Sequence, residues 1–385
     1  MNEGSHSIDS FSNKNTIFLC VISYTKTSEL RGITIAGSKP NLIKYTPAAD
    51  CEFLYYGECK CIDKVPATPD GKPTPAIITK AALHLADIPI LVVSAGSKVK
   101  RHIPYVSFDL KPGRNILYEK AMEFKDAKRA FDYGAILGKQ LAKNYGTVLI
   151  GESIPGGTTT ALGVLIALGV DARFKVSSSM PNNPHAIKNK VIHQAMEREN
   201  ILFGELKNDP FMAISIFGDP MLPAVAGITS GVINLGRRVI LSGGTQMAPV
   251  VAILKLLSHD SLKKICIGTT SYVALDKSSG LKYLIKSISE DVPIYAADLH
   301  MEESNKIGLR AFSEGFVKEG VGAGGTSVAA MLKSGGKING RVLLKAIELE
   351  YERNIEKKSC DFYNHKYEGD SIKLLGKCNC AKERP

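Results

Sequence analysis

The chain contains no tryptophan, and aromatic residues make up only 7% of its 385 positions, so its core must be built from aliphatic layers. Its 35 glycines fit the many strand-to-helix turns that such layers need. Long apolar runs are missing too. The longest in the middle of the chain, Ala161 to Val170, is half the length of a membrane span and reads as a buried helix. Residues 1–15 are polar and serine-rich, with no signal-peptide-like apolar segment before Thr16, so a disordered N-terminus and a cytoplasmic protein are expected. Blocks of like charge are absent. Lys and Arg outnumber Asp and Glu by 49 to 38, which attracts anions, but the charges are spread and no basic stretch is interleaved with stacking aromatics. A phosphorylated small molecule fits that balance; nucleic acid and membrane are not expected partners.

Eight cysteines are present. Cys20 and Cys266 sit inside strand-like runs and read as small core residues. Cys59-Lys60-Cys61 and Cys378-Asn379-Cys380 form two C-x-C pairs, with Cys51 and Cys360 upstream. That spacing is not the C-x-x-C knuckle of zinc sites, so a disulfide or free thiols is the preferred reading and no metal is expected.

What is present is an alternation. Thr16–Ser23, Pro89–Ser94, Thr147–Ile150, Arg238–Leu241, Lys264–Gly268 and Pro293–Ala296 are short aliphatic runs of the buried-strand kind. Helical patterns lie between or after them: Glu119–Asn144, Gly157–Leu168, Pro184–Glu199, Asp219–Leu235, Gln246–Leu257 and Ser304–Phe312. Strands separated by helices imply crossover connections, hence a doubly wound, mostly parallel Rossmann-like α/β sheet with a smaller lobe built from the chain ends. The expected division is 1–15 as the disordered N-terminus, 16–85 in the smaller lobe and 86–302 as the large nucleotide-binding domain. Residues 303–355 then carry a late glycine loop and further helices of the smaller lobe, and 356–385 form a polar tail. The Pro- and Gly-rich stretch Pro66–Pro75 predicts an ordered loop at a boundary or over a site.

Three strand ends carry glycine turns. The first runs Gly151-Glu152-Ser153-Ile154-Pro155-Gly156-Gly157-Thr158-Thr159-Thr160 into a helix, where backbone amides, threonine hydroxyls and the positive helix end favour an anion. A tight turn capped by Thr158 would give the same local pattern. Glu152 stands there as a candidate general base. The second is Ser242-Gly243-Gly244-Thr245-Gln246, preceded by a helix that opens at Gly218-Asp219-Pro220. The third is Gly320-Val321-Gly322-Ala323-Gly324-Gly325-Thr326. None is a Walker loop or a G-x-G-x-x-G fingerprint, which counts against a dinucleotide-dependent oxidoreductase.

In order and content these segments resemble the nicotinate-nucleotide:dimethylbenzimidazole phosphoribosyltransferases of cobamide (vitamin B12) lower-ligand synthesis, particularly their archaeal branch. Gly151-Glu152 through Thr158-Thr159 is similar to the family's G-E-x-G-I-G-N-T-T loop, Val93–Gly96 to a V-F-A-G strand end, and Gly320–Ala330 to G-E-G-T-G-A-A. The resemblance covers about Ile88–Leu332. It implies transfer of the phosphoribosyl group of nicotinate mononucleotide to a benzimidazole-type base, giving α-ribazole phosphate and nicotinate, by a homodimer needing no cofactor. Phosphate and ribose would then lie on Gly156, Gly157, Thr158, Thr159, Ser242, Gly243, Gly244, Thr245, Gly322, Gly324 and Gly325, and the base near Ser94 and Gly96. The family's usual catalytic glutamate falls on Val321, or on Ala323 in another alignment. The base is therefore expected to be Glu152 or Glu319, with Glu314 a weaker candidate. A nucleotide-binding protein without turnover is the alternative that this departure leaves open.

Overall fold

In the computed structural model the described residues are 8–12, 15–37, 39–68, 70–257 and 259–356, with the backbone of 365–368 and 371–374. Seven strands, β1 (Thr16–Ile22), β2 (Ile90–Ser94), β3 (Val106–Ser107), β4 (Thr147–Ser153), β5 (Arg238–Ser242), β6 (Ile265–Thr270) and β7 (Ile294–Ala297), form one sheet. Their order is β3-β2-β1-β4-β5-β6-β7 and every neighbouring pair is parallel. The aliphatic runs follow from this: a strand covered on both faces needs apolar side chains pointing both ways.

The helices are α1 (Thr46–Tyr56), α2 (Ala76–Leu85), α3 (Phe124–Leu141), α4 (Gly157–Ala167), α5 (His185–Glu199), α6 (Pro210–Phe217) and α7 (Met221–Ile233). After them come α8 (Ala248–Leu257), α9 (Ser271–Ala274), α10 (Leu281–Ile288), α11 (Ile307–Ser313), α12 (Ala323–Lys333) and α13 (Gly340–Asn354). Leu19, Val21, Val148 and Ile150 face a core shared with α3–α8 and α10. Phe18, Cys20, Leu149 and Cys266 face a second core, made with α1, α2 and α11–α13. The result is three layers, the α/β architecture expected. The antiparallel pair β8 (His365–Glu368) and β9 (Ser371–Leu374) falls within the expected tail.

Two boundaries differ from expectation. Residues 16–22, assigned to the smaller lobe, are the central strand β1 with partners on both sides, so the lobe is instead the layer of α1, α2 and α11–α13. Within the N-terminus expected to be disordered, Ile8–Phe11 form a 3-10 turn and the Phe11 ring is buried, its carbonyl accepting from Thr147 Oγ1 at 3.1 Å. The helix expected over Glu119–Asn144 is shortened at both ends to α3, because residues 114–122 pair in turns instead, as in Arg114 N to Ala121 O.

Candidate active site

In an open parallel sheet the chain leaves neighbouring strands in opposite directions at one point, and a crevice opens there beyond the carboxyl ends. Here that point lies between β1, which leads to β2, and β4, which leads to β5. A pocket of about 930 Å³, open mouth included, occupies it. One wall is the β4–α4 turn from Glu152 to Thr158; others are Ser177–Ser179, Gly244 with Gln246, and the 317–321 segment. The lining also includes Thr46 and Asp50 of α1, and Pro66, Ala67, Lys72, Pro73, Thr74 and Pro75 of the stretch expected to form a loop at a boundary or over a site.

The start of α4 lies on the pocket lining, through Gly156, Gly157 and Thr158. α4 starts from Gly156, whose φ of 78° is left-handed, and an added Cβ there would press on the Ser28 backbone. The positive end of α4 therefore opens onto the pocket. Thr158 Oγ1 is held at 2.6 Å by the ammonium of Lys188 from α5, which also donates to the Ser177 carbonyl at 2.6 Å. Lys188 is fully buried; that burial, and then the nearby Lys318 charge, push its ammonium down to about 7. Gln246, beside Gly157, keeps a buried Nε2 donor with no hydrogen-bond partner. A buried donor of this kind has room for an acceptor, from an ordered water or from a ligand.

The same lining carries three carboxylates, Glu152, Asp50 and Glu319. Glu152, at 4% exposure, accepts only the Ile154 amide at 3.0 Å, and burial followed by the Glu319 charge raises its pKa well above the usual range. Asp50 accepts from Thr74 Oγ1 and Ser153 Oγ, each at 2.7 Å, and its burial outweighs those two bonds to lift it to about 6. Glu319 accepts from the Thr270, Gly320 and Gly324 amides at 2.9, 3.1 and 3.1 Å, and from Thr269 Oγ1 at 3.3 Å. Burial still lifts it to about 7, against the pull of those donors. Among the described residues none of the three has an ion-pair partner, although other acidic groups such as Asp276 do, with Lys318 at 2.6 Å.

The structure brings together Glu152, Glu319, Gly156, Gly157, Thr158 and Gly244 of the predicted site residues. The rest are not on the pocket lining. Thr159 is buried within α4, its hydroxyl unpartnered. Ser242 is buried under α12, and Gly324 and Gly325 are glycines because a Cβ would enter the backbone of Thr269 or Ser242; Gly322 is pressed against Phe18 and Gly151. These are close-packing contacts. Gly243 lies against Met247, and Thr245 acts one step back, accepting the Ser177 amide at 2.9 Å. Ser94 is paired in the sheet and Gly96 lies against Lys111 and Pro220, so neither reaches the pocket. Glu314 lines a separate hollow.

Asp50, Lys188 and Ser177–Ser179 were not singled out from sequence; each is a polar residue without a local motif. Cys59 and Cys61 are free thiols, Cys61 pushed up to about 12 by burial, while Cys378 and Cys380 lie outside the described residues. Among the described residues a group with metal-ligand geometry occurs on the surface, Asp298, His300 and Glu302, away from the pocket. No helix there is long and apolar enough to cross a membrane.

Sheet order and crevice define a doubly wound, parallel α/β protein with a pocket at the switch point of its sheet. The chain belongs to the phosphoribosyltransferase family, whose model matches residues 76–273. Relatives named UPF0284 protein include one from Archaeoglobus fulgidus, 46% identical over 87% of this chain and 93% of its own length. Another, from Sulfolobus acidocaldarius, is 44% identical over 83% and 91%. In fold the chain is similar to the nicotinate-nucleotide-dimethylbenzimidazole phosphoribosyltransferase of Thermus thermophilus, with a TM-score of 0.60, 14% identity, and 86% and 89% of the two chains covered. The CobT structure from the same organism gives 0.56 and 16%, with 90% of each chain covered. The family resemblance drawn from the glycine loops therefore holds, and so does the fold it implied.

Proposed function

We propose that the protein transfers the phosphoribosyl group of nicotinate mononucleotide to a benzimidazole-type base, releasing nicotinate and forming α-ribazole phosphate. The carrying observation is that one pocket brings the amide end of α4 and Thr158 together with three buried carboxylates, Glu152, Asp50 and Glu319, that have no ion-pair partner among the described residues. Nicotinate mononucleotide offers a phosphate at one end and, at the other, a ring whose pyridinium charge is balanced by its own carboxylate; positive charge grows on the ribose as the bond breaks, and that charge is what nearby carboxylates would stabilise. The α4 amides and Thr158 would hold the phosphate, Lys188 would fix the Thr158 hydroxyl from behind, and Gln246 would supply a further donor. The C1′–N bond breaks with its electron pair going to the pyridinium nitrogen, which becomes neutral. The acceptor nitrogen's lone pair forms the new bond to C1′, and the proton on the acceptor's other nitrogen passes to a carboxylate.

Glu152 suits that last step better than Glu319. Its carboxylate carries one amide bond, whereas that of Glu319 is engaged by three amides and a hydroxyl. The missing family glutamate near Val321 is then replaced from β4. A homodimer belongs to the same reading, on the strength of the resemblance alone.

The test is nicotinate release with a benzimidazole acceptor. Glu152→Gln should lower kcat by about 10²-fold or more with little change in nicotinate mononucleotide KM. Because a base must be ionised, and burial raises Glu152, the acid limb of wild-type kcat/KM should lie above the ordinary glutamate range. Full activity in Glu152→Gln would rule Glu152 out, and calorimetric binding with no product from any acceptor would favour a non-catalytic binder.

A further inference from the structure

A second hollow, of about 1500 Å³ with its open mouth included, shares no lining residue with the candidate active site. The turn after β1 parts the two: the Ser28 backbone lies against Gly156 of the first, whereas Lys26 lines the second. The hollow too lies beyond the carboxyl ends of strands, where open parallel sheets bind ligands. Lys26 follows β1, Lys98 follows β2 and Lys111 follows β3, so three separate loops each deliver a lysine to one place. Arg114 joins them, with Lys125 and Arg129 from the first two turns of α3.

Six basic side chains thus meet three acidic ones, Asp109, Glu123 and Asp126. Two of the acids are already engaged, Glu123 by Arg114 at 2.8 Å and Asp126 by Arg129 at 3.1 Å. Lys98 has Glu29 at 3.4 Å, but Lys26, Lys111 and Lys125 have no ion-pair partner among the described residues. The Nε of Arg129 is buried there without a hydrogen-bond partner. Like charges gathered from separate loops repel one another, and a bound anion relieves that repulsion. Between the charges the lining is apolar, through Leu110, Met122 and Pro220. We propose that this hollow binds a diphosphate group carried on an apolar body, the diphosphate on the lysines and Arg129, the body on the apolar lining. One phosphate monoester brings about 1.5 to 2 negative charges, less than the excess on the lining, whereas a diphosphate ester matches it. Nucleoside diphosphates and prenyl diphosphates share this chemistry. The site stands independently of the transfer reading.

The experiment is calorimetry on the full-length protein with ADP, geranyl diphosphate and inorganic pyrophosphate, each with and without nicotinate mononucleotide. One ester or both should bind saturably and at least about tenfold tighter than pyrophosphate, since only an ester reaches the apolar lining, and whichever binds names the source of the diphosphate. Nicotinate mononucleotide should not compete. Lys26→Gln, Lys111→Gln and Lys125→Gln, all at exposed positions, should each weaken the ester about tenfold while leaving the thermal midpoint unchanged. A basic rim that is only solvated would hold pyrophosphate as tightly as either ester, and that result overturns the inference. So does the lack of saturable binding by both esters, displacement by nicotinate mononucleotide, or binding that survives all three substitutions.

Discussion

Asp219 shows what burial does to a carboxyl that lines no pocket. It is fully buried, accepts the Met221 and Leu222 amides at 3.0 and 3.2 Å where α7 begins, and takes a further bond from Thr160. Burial nevertheless raises it from 3.8 to about 6. Between those two values the folded chain holds a proton that the unfolded chain has released, so stability falls as pH rises through the window and stays lower above it. Asp219→Asn keeps the shape and the capping oxygen but has no charge to bury. In urea denaturation, the stability difference between variant and wild type should move in favour of Asn by up to about 3 kcal/mol from pH 4 to pH 8. A difference that is flat with pH would show that burial does not govern this group. Glu319 has the same sign: burial lifts it from 4.5 to about 7, so stability falls as pH rises between those values and stays lower above them.

At the scale of elements, α12 sits on the sheet with its first turn against β5 and β6, and it can do so only because Gly324 and Gly325 lack side chains. Gly324→Ala should cost at least about 1–3 kcal/mol, read as a lowered denaturant midpoint, because the new methyl falls on the Thr269 backbone and cannot be accommodated by a rotamer change. It should also loosen Glu319, which accepts the Gly324 amide. An unchanged midpoint would mean that α12 can slide. These glycines explain how the sequence was both read and misread. Aliphatic runs located the strands, and the glycine turn after β4 located the start of α4 and put Glu152 beside it on the pocket lining, since ligand approach and close helix packing both need residues without Cβ. At α4 the turn faces the pocket; at α12 the same composition serves packing, and nothing local separates the two. α1 was missed because its run TPAADCEFLYY mixes acids into an apolar segment, a pattern that makes sense only once Asp50 meets Thr74 and Ser153. Lys188 likewise sits in an ordinary polar helix until Ser177 and Thr158 close over it.

For the molecule as a whole, the pocket is a meeting place of distant pieces: residues 46–50, 66–75, 152–158, 177–179, 244–246 and 317–321. A ligand that spans it must tie both helical layers to the sheet. Saturating nicotinate mononucleotide, at about 100 times its Kd, should raise stability by about 2.7 kcal/mol. Hydrogen exchange should slow together in α1, the 66–75 loop and the 317–321 segment as well as at the start of α4. Protection confined to α4 would mean that the phosphate is bound but the ring end never reaches the α1 wall.

The crossing of this pocket by a late segment also sets an order of events during synthesis. By Ala297 a growing chain has all seven strands of the sheet, and with them the β4–α4 turn, Lys188 and Asp50. The 317–321 wall and the helix that covers β5 and β6 are translated later. A chain that ends before residue 317 therefore lacks one wall of the pocket even though every strand of its sheet has been made.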